Sequence, residues 1–328
     1  MCAQNEQHGT GVHGNHHLTM SVGPAQEDYD FHTRLLGMRS VKKTILFDGA
    51  LPIYHLYYAN ADGDPSSVLT TFPFRQAGLM GRRGTNQVKT INLSVPAASL
   101  GHWEQRLAKA GVSAQRADRF GSERLGFAHP CGILYALVGV EGDPRRGHAG
   151  GGVPAEHAIH GAHGITVSVR EPAEMVDFLE LGLGARRESA GEGGEAFEVG
   201  QDGHGRRVEL VEEPDLPAGT WRFGEGTVHH VAFDAGTSES QLALKAHIEG
   251  LGYTDVSDVK DRRYFHSCYV RTPGGPLFEL AVSVPGAWAV DEAPDELGRR
   301  FMLPPVHEHR REELLEQLET IDTSAATA

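Results

Sequence analysis

Short runs of apolar and β-branched residues alternate along this chain with stretches of helical periodicity, and the alternation repeats. HHLTMSV (16–22) opens one unit and HGITVSV (163–169) opens another; each reads as a strand. The helical patterns DYDFHTRLLGM and PAEMVDFLELGLG follow them, both stopping at glycine, a common C-terminal signal. Two further openings have the same form: VKTINLSV (88–95) precedes SLGHWEQRLAKAG, and TVHHVAF (227–233) precedes SQLALKAHIEG. Each of these two is followed by strand-like runs that close on a glycine turn and a last strand, HPCGILYALVGV in one and TPGGPLFELAVS in the other. The pattern therefore predicts four strand–helix–strands modules. Helices lying on one face of antiparallel strands make an α+β fold; a parallel α/β sheet would need strict strand–helix alternation.

At 328 residues the chain exceeds what one core usually serves, so two domains of two modules each are expected, over 15–140 and 163–305. The break between them is the segment 141–164, EGDPRRGHAGGGVPAEHAIHGAHG, whose glycine run and prolines suit a linker over 141–162. Residues 1–14, rich in Gly, His and Gln, are expected to fray. A C-terminal region over 306–328 begins with an amphipathic helix (306–321) striped by Leu314, Leu315 and Leu318 and ends in a disordered tail.

Composition narrows the classes. Hydrophobic and charged contents of 39% and 23% are those of a folded globular protein. A formal net charge of −14 disfavours nucleic acid and anionic membrane as partners. No apolar run approaches the roughly 20 residues of a membrane-spanning helix, and the polar N-terminus lacks the apolar core of a secretory signal. Cys2, Cys131 and Cys268 are far apart and form no CxxC pair, so neither a disulfide framework nor a zinc–thiolate site is expected, and a reducing, cytoplasmic setting is the natural one. Oligomeric state is not readable, and a homo-oligomer stays open.

The repeat then serves as a ruler for chemistry. His17 and His230 fall at matching positions of the first and fourth modules, each the second of a His-His pair, whereas the third module has Gly164 there. Glu279 stands between Phe278 and Leu280 in the last strand of the fourth module, where the second module has Ala136. A carboxylate within an apolar strand is costly unless it is paired or binds a metal. A lone histidine in a strand is more often packed than ligating; two matched pairs plus that carboxylate point instead to a metal site. Two imidazoles and one carboxylate form the facial set that suits iron(II) or manganese and leaves coordination positions open. His148, His157, His160 and His163 in the linker region, and His307 and His309 near the C-terminus, read as solvent-facing.

Beyond this residue-level reading, the sequence resembles the hydroquinone ring-cleaving dioxygenases of the vicinal oxygen chelate superfamily, over roughly residues 15–310. The runs carrying the resemblance are HHLT (16–19), FDGALPIYHLYYA (47–59), TTFPF (70–74), GRRGTNQ (81–87), VHHVAF (228–233), GYTDVSD (252–258) and RRYFHSCYVRTPGGPLFE (262–279). The resemblance implies four βαβββ modules in two domains, with one metal between the first and fourth modules. It implies His17, His230 and Glu279 as ligands to Fe(II), with Mn(II) an alternative. His16 and His229 would lie by the substrate, as proton carriers or as supports that orient the ligands. Arg262, Tyr269 and Thr19 would line the pocket, with Arg263 competing for the arginine role and Asp258 or Asp261 as surface partners for Arg262. The partners implied are a small aromatic substrate and dioxygen. Other readings are the same site acting on another phenol or catechol, a non-oxidative isomerase or transferase of the superfamily, and a metal-free binding protein.

Overall fold

The computed structural model describes residues 11–46, 51–191, 193–201, 204–220 and 222–323. Each module has the order βαβββ. The first runs β1 (Asn15–Val22), α1 (Ala25–Asp30), β2 (Arg39–Leu46), β3 (Ile53–Ala59), β4 (Val68–Pro73). The second runs β5 (Gln87–Pro96), α2 (Leu100–Lys109), β6 (Gln115–Arg119), β7 (Ser122–Ala128), β8 (Leu134–Val140). The third runs β9 (Gly161–Val169), α3 (Ala173–Asp177), β10 (Arg186–Gly191), β11 (Gly194–Glu198), β12 (Arg207–Glu212). The fourth runs β13 (Thr227–Asp234), α4 (Ser238–Gly250), β14 (Lys260–Asp261), β15 (Phe265–Arg271), β16 (Leu277–Ser283).

The strands form two eight-stranded sheets, ordered β14-β15-β16-β13-β1-β4-β3-β2 and β10-β11-β12-β9-β5-β8-β7-β6. The outer sheet thus joins the first and last modules, and the inner sheet joins the two middle ones. This departs from the expected division at 141–162: the halves of the chain are sequential, but the hydrogen-bonded sheets are not. Strand periodicity cannot choose between these pairings, because β1 could mate equally with β5 or β13 on alternation alone. In each sheet the module-opening strands meet antiparallel at the centre, β1 on β13 and β5 on β9. All eight residues of β1 are buried, since its two faces meet the core and the concave side of the sheet.

One apolar core spans both sheets, taking Leu18, Met20 and Val22 from β1, Ile91, Leu93 and Val95 from β5, and Trp103, Phe178 and Ile248 from the helices. The helices α1 and α3 each continue into a single π turn, Phe31–Leu35 and Phe178–Gly182. α4 starts at a Thr237 cap whose side chain accepts from the Ser240 N–H, satisfying one orphan donor of the first turn.

Other expectations need correction. Residues 11–14 do not fray: Val12 is in the core and the His13 N–H donates to the Asp234 carbonyl. The expectations for residues 1–10 and for the tail after 323 lie outside the described residues, as do 47–50. The linker is pinned, because the buried Arg145 guanidinium donates to the carbonyls of Ser66 and Ala162 and pairs with Asp143. β9 begins within it, at Gly161. His157 hydrogen-bonds Ser99 and stacks on His102, and burial drives the His163 imidazole down to about 4. The C-terminal helix is a 3-10 segment, Pro305–Arg310, followed by a short α5 (Arg311–Glu316). Leu314 and Leu318 pack on Ile45 and Leu303, while Leu315 is exposed. No helix among the described residues is long and apolar enough to cross a membrane.

Candidate metal centre

His17 on β1, His230 on β13 and Glu279 on β16 converge on the concave face of the outer sheet. The two Nε2 atoms lie 3.1 Å apart. Glu279 Oε2 is 2.9 Å from His230 Nε2 and 3.7 Å from His17 Nε2. Its other oxygen, Oε1, accepts from Ser267 at 2.5 Å, whereas the buried Oε2 has no hydrogen-bond partner. A buried carboxylate oxygen aimed at two imidazoles is costly as it stands and is the arrangement a cation resolves. Burial pushes the His17 imidazole well below its ordinary range; it takes His230 to about 3, with Arg262 adding to the effect there. Both are thereby kept neutral, the ligating form.

The register explains how consecutive histidines cooperate. Each central strand carries a bulge: β1 skips between Asn15 and His17, and β13 skips between Val228 and His230. The extra residues are His16 and His229. Their rings turn back on their neighbours, with His16 Nδ1 2.9 Å from His17 Nδ1 and His229 Nδ1 2.8 Å from His230 Nδ1. If Nε2 of His17 and of His230 is to ligate, each Nδ1 carries the proton and donates it to the paired histidine. Such outer contacts fix ligand tautomer and ring orientation. His16 in turn meets Ser283 Oγ through Nε2 at 2.8 Å and packs on Phe265 and Trp288. It is fully buried and does not line the substrate cavity, contrary to its expected place beside the substrate. His229 does line it, stacked on Phe223 with centroids 3.5 Å apart.

The cavity has a volume of about 900 Å³ and is walled by His55, Tyr57, Phe72, Phe265, Tyr269 and Arg262, among others. The Arg262 Nε donates to the Tyr269 hydroxyl at 3.1 Å and its guanidinium lies over that ring. Burial, with Glu279 nearby, pushes the Tyr269 phenol up, so it stays protonated. Arg263 is directed elsewhere, donating to Asp291 at 2.9 and 2.7 Å, which separates the two arginines. Thr19 lies behind His230 rather than on the cavity wall: its Oγ1 is 2.8 Å from His230 Nε2 and 2.7 Å from Thr70 Oγ1. His307, expected at the surface, lines the cavity mouth with Pro304, Pro305 and Val306. His55 was not singled out from the sequence. Its strand, YHLYY, carries no repeat partner to mark it.

The inner sheet provides a control built into the same chain. Superposing the registers places Thr90 at the position of His17 and Gly164 at that of His230. Glu209 on β12 stands where Glu279 stands on β16. So a carboxylate between apolar neighbours does recur, at Val208-Glu209-Leu210, which comparison with Ala136 alone overlooked. Here the Arg124 guanidinium grips both carboxylate oxygens at 3.0 Å, with Thr166 donating at 2.7 Å. A Cβ at Gly164 would fall 2.0 Å from the Arg207 carbonyl oxygen, so that position cannot hold an imidazole.

A second cluster, Asp28, His32 and His129, is also fully buried. Its proton placement opposes ligation. The Cys131 N–H donates to His129 Nδ1 at 3.1 Å, so the neutral ring carries its proton on Nε2, facing Asp28 Oδ1 at 3.4 Å. His32 Nδ1 faces the Asp28 carbonyl at 3.0 Å and must donate. Both nitrogens that point inward hold protons where a metal needs lone pairs. Tyr58 and Thr71 donate to the other oxygen at 2.7 and 2.6 Å, while Oδ1 has no hydrogen-bond partner and faces His32 Nδ1 at 3.2 Å and His129 Nε2 at 3.4 Å, so the cluster is a charged contact joining two modules.

No family model matches the chain. Whole-chain relatives do. The chain is 39% identical over 307 residues to a chlorohydroquinone/hydroquinone 1,2-dioxygenase of Sphingobium indicum, covering 93% of this chain and 95% of that one. It is 35% identical over 301 residues to MhqO of Bacillus subtilis, a protein assigned to the ring-cleaving dioxygenases, covering 92% and 94%. A crystal structure of a Bacillus subtilis protein assigned as a dioxygenase superposes with a TM-score of 0.88 at 34% identity, over 95% of this chain and 98% of that one. Glyoxalase I of Zea mays shares the fold, with a TM-score of 0.59 at 13% identity over 82% and 92%. The fold is therefore that of the vicinal oxygen chelate proteins. Within that class, the chain belongs to the family of ring-cleaving dioxygenases that includes the Sphingobium enzyme.

Proposed function

We propose that this enzyme opens the ring of a hydroquinone-type aromatic with dioxygen, using iron(II) held by His17, His230 and Glu279. The observation that carries the reading is the buried Glu279 Oε2, unpartnered and within 2.9–3.7 Å of two neutral imidazoles, beside a cavity of about 900 Å³. The relative named for chlorohydroquinone and hydroquinone supports the substrate class. Iron(II) at the triad would supply Lewis acidity toward a phenolic hydroxyl and redox contact with dioxygen.

The chain's own residues do the rest. Phe72 and Phe265 offer apolar walls to an aromatic ring. Tyr269, with its oxygen accepting from Arg262, keeps its own proton to donate to substrate oxygen. Arg262 supplies positive charge where anionic charge develops on the opening ring. His229 has Nδ1 engaged by His230, so its neutral ring carries a proton on Nε2 and presents a donor. It cannot gain a second proton without breaking that contact, which makes it a hydrogen-bond donor rather than a base.

The test is dioxygen uptake by protein reconstituted anaerobically with iron(II), on a panel of hydroquinones and catechols, with His17→Ala as control. Uptake led by hydroquinones and lost in the variant is expected. Uptake led by catechols would reassign the substrate, and no uptake with any phenol despite bound iron would overturn the reading.

A further inference from the structure

The cavity beside the triad is much larger than a bare hydroquinone, which is one ring and two oxygens. Voids of about 300–1,000 Å³ hold drug-sized ligands, and this one is about 900 Å³. Its hydrogen-bonding and metal-binding groups gather at one end, where His17, His230 and Glu279 stand with Tyr269 and Arg262. From there the void runs along the concave face of the outer sheet, past β4 and β3 to β2. β2 is three strands from β1, or ~14 Å along the sheet at ~4.8 Å per strand. Thr44 on β2 pairs with His55 and Leu46 follows two residues on, so both present their side chains to the cavity.

The wall of this outer half is mostly apolar and drawn from four places in the chain. Leu46 comes from β2, and Leu277 from the start of β16, two residues before Glu279. Val290 ends the 3-10 turn Ala287–Val290, which is held by Trp288, whose Nε1 donates to the Gly63 carbonyl at 2.7 Å. Pro304, Pro305 and Val306 come from the C-terminal segment, and Thr44 and His307 complete the wall. The C-terminal segment is fixed to the sheet edge: the Met302 N–H donates to the Lys43 carbonyl at 2.8 Å, and Leu303, Leu314 and Leu318 pack on Ile45. Two successive prolines bring no N–H into the wall. Charged and phenolic groups at this end are committed elsewhere. Arg263 and Tyr264 donate to Asp291 at 2.7 and 3.0 Å, and Asp261 accepts from the Arg263 N–H at 2.7 Å. Val290 and Val306 are 51% and 68% exposed. Large apolar side chains left open on the rim of one cavity mark the path of an apolar ligand.

We infer that the outer half of the cavity is a tail site, and that the substrate is a hydroquinone carrying a hydrocarbon substituent of several carbons. The tail lies along Leu46, Val290, Pro305 and Val306 while a ring hydroxyl meets the triad and the ring sits between Phe72 and Phe265. The inference rests on the function proposed above and narrows its substrate. Binding strengthens with each methylene the tail buries, by up to about fourfold. A carboxylate in the tail's place gains nothing, because Arg263, the cation at that end, is neutralised by Asp291.

Titration calorimetry of iron(II)-loaded protein under anaerobic conditions, where nothing turns over, compares 3-methylphenol with 3-pentylphenol. The pentyl compound has four more methylenes and is expected to bind about tenfold more tightly or better. Val290→Asp and Val306→Asp are expected to cut that advantage to about threefold or less; both positions are exposed, so neither change threatens folding. A smaller advantage in the unmodified protein, or one that survives both substitutions, would overturn the tail site. In turnover, kcat/KM for pentyl- and phenylhydroquinone is expected to exceed that for hydroquinone and for 2,5-dihydroxybenzoate by about tenfold. An equal or reversed order overturns the tail site and leaves ring cleavage standing. No turnover of any of the four overturns the proposed function instead, and the calorimetry then decides the tail site by itself.

Discussion

Glu209 and Glu279 hold the same register position in the two sheets, each paired in parallel with a residue of a central strand, Thr166 in one and Ala232 in the other. Glu209 meets a guanidinium; Glu279 meets two neutral imidazoles. The fold tolerates a buried carboxylate at this place provided that something cationic faces it. The inner sheet supplies the cation covalently, and the outer sheet leaves room for an ion.

Iron(II) should therefore stabilise the folded protein. At a metal concentration of a hundred times Kd, linkage gives about 2.7 kcal/mol. Thermal scans under anaerobic conditions are expected to show a rise in Tm on adding iron(II), absent in Glu279→Gln. A rise that persists in Glu279→Gln would place the metal elsewhere.

Arg124 should be a stability residue with no role in turnover. Its replacement by Met leaves the buried Glu209 with little beyond the Thr166 hydroxyl and the more distant Arg207 guanidinium, at 3.4 Å, to offset its charge, at a cost of about 3 kcal/mol. Adding Glu209→Gln in the same chain should recover much of the loss. Urea unfolding of the single and double variants reads both; equal midpoints for Arg124→Met and the unmodified protein would refute the pairing argument.

Asp28 gives a pH signature. Burial acts to raise its carboxyl, but His32 and His129 outweigh that and hold it well below the carboxylate range. A carboxyl lowered on folding stabilises above its unfolded value, about 3.9, and the stabilisation fades as pH falls toward the folded value. Asp28→Asn is expected to lower stability by about 1–3 kcal/mol at neutral pH, the deficit shrinking below about pH 4. A deficit independent of pH would show that shape, not charge, matters there.

His163 gives a window of the same sign at higher pH. Its folded value near 4 lies below the ordinary imidazole value of about 6.5. Between these the unfolded chain takes up a proton that the folded chain refuses, so stability falls as pH drops through that range. His163→Gln is expected to lose about 2 kcal/mol less than the unmodified protein on going from about pH 7 to about pH 5, measured by urea unfolding.

Four βαβββ modules and their α+β class were legible, because strand and helix periodicities differ sharply in stretches such as TINLSVP and HWEQRLAK. The convergence of His17 and His230 was legible because the repeat supplied matched positions, whereas Glu279 was singled out against Ala136 although Glu209 repeats it in the third module. That the first and fourth modules meet at the centre was expected; that they share one hydrogen-bonded sheet, with β1 beside β13, was not, since alternation fixes which face is buried and not which strand lies alongside. The bulges that turn His16 and His229 onto their partners were invisible for the same reason: a bulge is a property of two strands in register. His16 was thus expected at the substrate and lies behind a ligand. Glu209 escaped notice because its true counterpart strand is set by sheet order. His55 carried no repeat signal, and only the folded sheet brings it to the cavity wall.

The outer sheet closes a loop of more than two hundred residues between His17 and His230. The first strand of the chain therefore has no permanent neighbour on that side until nearly the last module has been synthesised. During translation the two middle modules can mate while β1 is held only by β4, and the triad is complete only once residue 279 has been made. The site is in this sense a checkpoint on synthesis of the fourth module: a ribosome that stops just before residue 279 leaves a chain with both histidines but without the carboxylate of the triad.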